Sequence, residues 1–144
     1  RSTITYNAAV SACGKGEQWV QALQLFLEMA DSRVERDTIT YNAAVSACEK
    51  GEQWVQALQL FLEMADSRVE RNTITYNAAV SACEKGEQWV QALQLFLEMA
   101  DSRVERNTIT YSAALSAARS AVNGYRHAAV SACERGEQWV QALQ

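Results

Sequence analysis

The sequence predicts an all-α fold, a right-handed α–α superhelix (a solenoid) of helix–turn–helix repeats, on three observations. Residues 38–72 and 73–107 are the same 35-residue string, and residues 3–37 match it except at Gly14 for Glu and Asp37 for Asn. A fixed period of this length marks a solenoid, in which each small unit buries its apolar surface on copies of itself. Proline is absent while Ala, Leu, Gln and Glu abound, which favours helix. Within the period, apolar residues recur at helical spacing.

In the first unit, residues 3–37, a first helix (helix A) runs from Thr3 to Lys15. Tyr6, Ala9, Val10 and Cys13 are spaced i, i+3, i+4, i+7 and form its core side. Ile4, Asn7, Ser11 and Lys15 form a second stripe, about 150° away on the helical wheel. Gly16 suits the left-handed residue that closes a helix, and Glu17 is expected to open a second helix (helix B), its charge favourable at that end of the dipole. Trp19, Ala22, Leu23, Phe26, Met29 and Ala30 give helix B a broad apolar face, with Gln21, Gln24 and Glu28 turned to water. Asp31-Ser32-Arg33 ends it, Val34 packs down on the loop, and Asp37 or Thr38 caps the next helix A.

The same reading gives repeats at 38–72 and 73–107. A truncated fourth unit, 108–122, keeps helix A only, and a partial fifth unit covers 123–144. Asn123-Gly124 reads as a turn, after which the second helix A is expected to fill the slot left by the missing helix B. The last helix keeps Trp139, Val140, Ala142 and Leu143 and is expected to fray. The chain starts at Arg1 and stops at Gln144 in mid-pattern, so it reads as a fragment of a longer array.

Composition excludes several functions. The net charge of −4 gives no overall attraction to nucleic acid or anionic membrane, so any polyanion binding must come from a local basic stripe. The apolar run Trp19 to Ala30 is too short for a membrane span. Cys13, Cys48 and Cys83 recur at the repeat period, which places them about 9–10 Å apart, too far for a disulfide. With Cys133 they read as small buried residues, in keeping with a reducing compartment. His127, the one histidine, has no triad partners in the sequence, so no catalytic role is assigned.

The motifs then carry a resemblance. Thr-Tyr-Asn in the first turn, Gly then Trp at the A–B junction, Ala-Leu-x-Leu-Phe-x-x-Met in helix B and Val-x-x-Asp/Asn at the end resemble the pentatricopeptide repeat, over residues 3–107 and in pieces over 108–144. The tetratricopeptide repeat has a different period and a Trp-x-x-Leu-Gly-x-x-Tyr start that is not found here. Where the family often places Gly and Pro, this chain has Arg33 and Arg36, Arg68 and Arg71, Arg103 and Arg106. The B-to-A loop is therefore expected to be less rigid and more basic.

The resemblance implies a non-enzymatic binder of single-stranded RNA, without cofactor, metal, membrane or small-molecule substrate, in a mitochondrion or chloroplast. One base per repeat would lie along the concave helix A face. The implied base-selecting pairs are Asn7 with Asp37 for uracil, then Asn42 with Asn72 and Asn77 with Asn107 for a pyrimidine, cytosine more than uracil. Ile4, Ile39 and Ile74 would wedge between bases, with Ile109 in the same register. Ser112 has lost its partner.

The residues support this independently. Ile4 and Asn7 share one stripe, an Asn amide offers a donor and an acceptor to a base edge, and Lys15, Lys50, Lys85 and Arg135 would track phosphates. Alternatives from other classes are a protein-interaction scaffold and a near-consensus array without a selected ligand. The Asn residues also read as polar first-turn residues, and Asp37, Asn72 and Asn107 as N-caps.

Overall fold

The computed structural model describes residues 2–134; Arg135 and the last apolar residues, Trp139 to Leu143, lie outside the described residues. Six 13-residue helices alternate as A and B: α1 (Thr3–Lys15), α2 (Trp19–Asp31), α3 (Thr38–Lys50), α4 (Trp54–Asp66), α5 (Thr73–Lys85) and α6 (Trp89–Asp101). A longer helix, α7 (Thr108–Glu134), closes the described chain. Each helix A packs on its own helix B and on the next helix A, so α1, α3, α5 and α7 form one layer and α2, α4 and α6 the other.

Apolar spacing makes the core. Tyr6, Val10, Phe26, Tyr41, Val45, Phe61, Tyr76 and Val80 are all buried. Phe26 meets Tyr41 edge-on at 4.9 Å, and Phe61 meets Tyr76 in the same way. Tyr6, Tyr41 and Tyr76 donate their hydroxyls to Glu28, Glu63 and Glu98 of their own helix B, at 2.6, 2.8 and 3.0 Å. Glu28 therefore serves as an acceptor for a core tyrosine as well as facing water.

Every A–B and B–A junction ends in a Schellman motif. Gln18 N–H reaches Cys13 O and Glu17 N–H reaches Gly14 O; Val34 N–H reaches Met29 O and Arg33 N–H reaches Ala30 O. The left-handed residue is not the glycine. Gly16 has φ −85°, whereas Glu17, Glu52 and Glu87 have φ 60°, 56° and 59°. Glu17 accordingly lies in the turn, and helix B begins at Trp19.

The glycine is needed for a different reason. A Cβ on Gly51 would lie 2.4 Å from Cδ1 of Trp19, and one on Gly86 2.3 Å from Cδ1 of Trp54. The indoles of Trp19 and Trp54 thus each rest on the glycine of the next repeat. At the B–A junction Arg33, Arg68 and Arg103 take the left-handed conformation, at φ 57°, 57° and 59°. Arg36, Arg71 and Arg106 lay their guanidinium groups over Phe26, Phe61 and Phe96 at 4.4, 4.3 and 4.5 Å. These three arginines are packed side chains, not a loose basic loop.

The expected turn at Asn123-Gly124 does not form, because α7 runs straight through it. The reason lies in the two residues just before it. Ala121 replaces the junction glycine, and Val122 stands where Glu17, Glu52 and Glu87 turn left-handed. A β-branched residue resists that conformation, so the helix continues. The second helix A copy therefore does not fill the helix B slot. Tyr111 and Leu115, whose counterparts Tyr76 and Val80 are buried, are exposed beside an open groove lined also by Arg106 and Asn107.

Candidate nucleic-acid interface

Three copies of one polar arrangement lie along the helix A layer. Asp37 caps α3: its Oδ1 accepts from Thr40 N–H at 3.0 Å, and Thr40 Oγ1 accepts from Asp37 N–H at 3.1 Å. Asn72 with Thr75 repeats this reciprocal box at the start of α5. The N-cap role is therefore real, and it coexists with a longer connection. Asn7 Nδ2 donates to Asp37 Oδ1 at 3.2 Å, Asn42 to Asn72 at 3.1 Å and Asn77 to Asn107 at 3.1 Å.

The Asn carbonyls are also occupied. Thr40 Oγ1 donates to Asn7 Oδ1, Thr75 Oγ1 to Asn42 Oδ1 and Thr110 Oγ1 to Asn77 Oδ1. Each Asn of the first turn is thus held between the cap of the next helix A and its third residue. Asn42 is buried, at 8% exposure, while Asn7 and Asn77 are half-buried. The amide that the sequence offered to a base edge spends its acceptor and one donor inside the protein. The cap residues hold the open polar atoms: Asp37 Oδ2 and the Nδ2 groups of Asn72 and Asn107 make no hydrogen bond among the described residues.

Asp37 has a perturbed carboxyl. Partial burial raises its pKa, but hydrogen bonds from the Thr40 N–H, the Thr40 hydroxyl and the Asn7 amide outweigh this and bring it below the ordinary value. At neutral pH Asp37 is therefore a pure acceptor.

The isoleucines stand clear of the core: Ile4, Ile39, Ile74 and Ile109 are 82%, 65%, 63% and 65% exposed. A helix-A face that keeps an isoleucine in water at every repeat is not using it for packing. Lys15 and Lys50 are exposed near the other end of the same helices, whereas Lys85 forms an ion pair with Glu49. That pairing, across two repeats, is a feature the sequence reading missed; an acid and a base one period plus one residue apart was the available signal.

Burial pushes the Cys48 and Cys83 thiols up to about 11, and His127 is exposed on α7. Among the described residues no group of three or more His, Cys, Asp or Glu side chains could hold a metal. No described helix is long and apolar enough to cross a membrane.

Fold and site together define a class, an α-solenoid whose copies each offer one capped polar pair and one bare apolar side chain to a shared face. The chain belongs to the pentatricopeptide repeat family: the profile of the PPR repeat family matches residues 1–50, 36–85 and 71–118. No curated protein sequence matches it. Among solved structures it is similar to the pentatricopeptide repeat protein PPR10 in complex with an 18-nt psaJ RNA element, with TM-score 0.73 and 23% identity over 79% of this chain. It is similar also to PPR10 from maize, with TM-score 0.70 and 23% identity over 80% of this chain. The chain spans 17% and 16% of those two proteins.

Proposed function

We propose that this chain binds single-stranded RNA sequence-selectively, one base per repeat, along the face formed by α1, α3, α5 and the start of α7. The observation that carries the reading is the open atom on each cap residue, fixed in place by the Asn behind it and flanked by an exposed isoleucine. Asp37 offers only an acceptor, which complements the N3–H of uracil. Asn72 and Asn107 offer an N–H, which complements the ring nitrogen of cytosine or a carbonyl of uracil. Asn7, Asn42 and Asn77 then act by orienting the selecting group. Ile4, Ile39 and Ile74 supply apolar surface to base faces, and the unpaired basic residues near the helix A C-termini meet phosphates. The RNA complex of the similar PPR10 supports the same reading.

With the first repeat at the 5′ end, the preferred sequence is 5′-U-Y-Y-3′. Three stacked bases at about 1–3 kcal/mol each imply weak binding by this segment alone. The test is a titration of U-, C-, A- and G-rich oligonucleotides by fluorescence anisotropy. Pyrimidine preference is expected, with Asp37→Asn moving the first position from uracil towards cytosine. Equal binding to all four would end the base-reading proposal.

A further inference from the structure

The three lysines of the helix A stripe are not equivalent. Lys85, in the last turn of α5, is ion-paired with Glu49, in the last turn of α3. The Glu49 side chain is only 14% exposed, against 41% for Lys85, and a carboxylate so covered requires a partner. The next copy of this acid, Glu84, has Ser120 at the register position of Lys85 and instead accepts a 2.6 Å hydrogen bond from Ser116 Oγ. At the first junction the acid is missing: Gly14 stands in its place, buried against Ala47 of α3. Lys50 therefore meets no carboxylate from α1. Neither Lys50 nor Lys15 forms an ion pair among the described residues.

We infer that residue 14 and its copy Glu49 decide which lysines are free to hold the RNA backbone, glutamate silencing the lysine of the next helix A and glycine releasing it. This inference rests on the single-stranded RNA reading above. Lys50 then grips a phosphate and Lys85 does not. Gly14 is one of only two differences between the first repeat and its copies, and it is the one that leaves the lysine of the next helix A without a partner among the described residues. A Cβ at Gly14 would lie 3.3 Å from the Cβ of Ala47. Because Glu49 and Glu84 occupy this register at the next two junctions, Gly14→Glu is expected to fold with a small adjustment.

The experiment measures log Kobs against log salt for U-, C- and A-rich oligonucleotides, using the full chain and the variants G14E, E49Q, K50Q, K85Q and E49Q/K85Q. Circular dichroism confirms that each is folded. For a single strand each phosphate contact adds about 0.7 to the slope, or about 2.6-fold in affinity between 50 and 200 mM salt. G14E and K50Q are each expected to lower the slope by about 0.7, K85Q to leave it unchanged, E49Q to raise it by about 0.7, and E49Q/K85Q to abolish that gain. A slope lowered as far by K85Q as by K50Q, or left unmoved by E49Q, overturns the inference. The expected slopes without any pyrimidine preference would sustain it while removing base reading, and no binding of any oligonucleotide at the lowest salt overturns both.

Discussion

Gly86→Ala and Gly16→Ala make the same chemical change in almost the same place. Both glycines sit in a Lys-Gly-Glu-Gln-Trp string, both cap a helix A, and their φ angles are −86° and −85°. They differ in what lies above them. A Cβ on Gly86 would be 2.3 Å from Cδ1 and 2.6 Å from Cγ of Trp54, while one on Gly16 would find nothing closer than the Ala12 carbonyl at 3.5 Å. To restore a contact of roughly 3.5 Å the indole must retreat by about 1.2 Å from a packed position. Overpacking of this kind costs about 1–3 kcal/mol, and displacement of a whole ring argues for the upper end. Gly16→Ala has no clash and reduces the freedom of the unfolded chain, which stabilises by about 0.4–1 kcal/mol. Urea titrations followed by circular dichroism and tryptophan fluorescence measure both. Gly86→Ala is expected to lose about 2–3 kcal/mol, or on the order of 10 °C in melting temperature, and Gly16→Ala to be neutral or better. Equal effects at the two sites would mean that the glycine serves backbone conformation, and the close-approach argument would be wrong.

Other perturbations follow from the same geometry. Thr75→Val keeps shape but removes the hydroxyl that holds buried Asn42 Oδ1; a loss of about 1–3 kcal/mol is expected in urea denaturation. Arg68→Gly relieves a left-handed non-glycine residue and should stabilise by about 0.5–1 kcal/mol, visible as a raised urea midpoint. Asp37 binds its proton less tightly folded than unfolded, so its contribution is present above the unfolded value near 3.9 and fades as pH falls through the lower folded value. Asp37→Asn should therefore flatten the stability curve below about pH 4. At pH 8, Cys48 and Cys83, buried and shifted to about 11, should resist iodoacetamide in the folded chain, while half-buried Cys13 reacts faster than either, as peptide mapping would report.

Much of this molecule is legible in the repeated string. The stripe of Tyr6, Val10 and their copies is core, and Ile4 and its copies are bare, as the 100° arithmetic requires. Boundaries were read less well where one residue type serves two purposes. Glycine at a helix end usually means a left-handed turn; here Glu17 makes the turn and the glycine makes room for a tryptophan 32 residues back in the chain. Asn123-Gly124 carries a strong local turn signal, yet the helix persists because Ala121 and Val122 have replaced the residues that stop it.

The sequence by itself determined the period, the helix A and helix B faces and the register of every candidate site residue, because these depend on spacing within a single helix. Only the tertiary structure decided which atoms of that register are left for a ligand. Asn42 faces the next repeat's Thr75, Lys85 reaches back to Glu49, and Asn72 keeps its Nδ2 group open. Such pairings join neighbouring units and depend on the distance between stacked helices, a quantity no linear spacing contains.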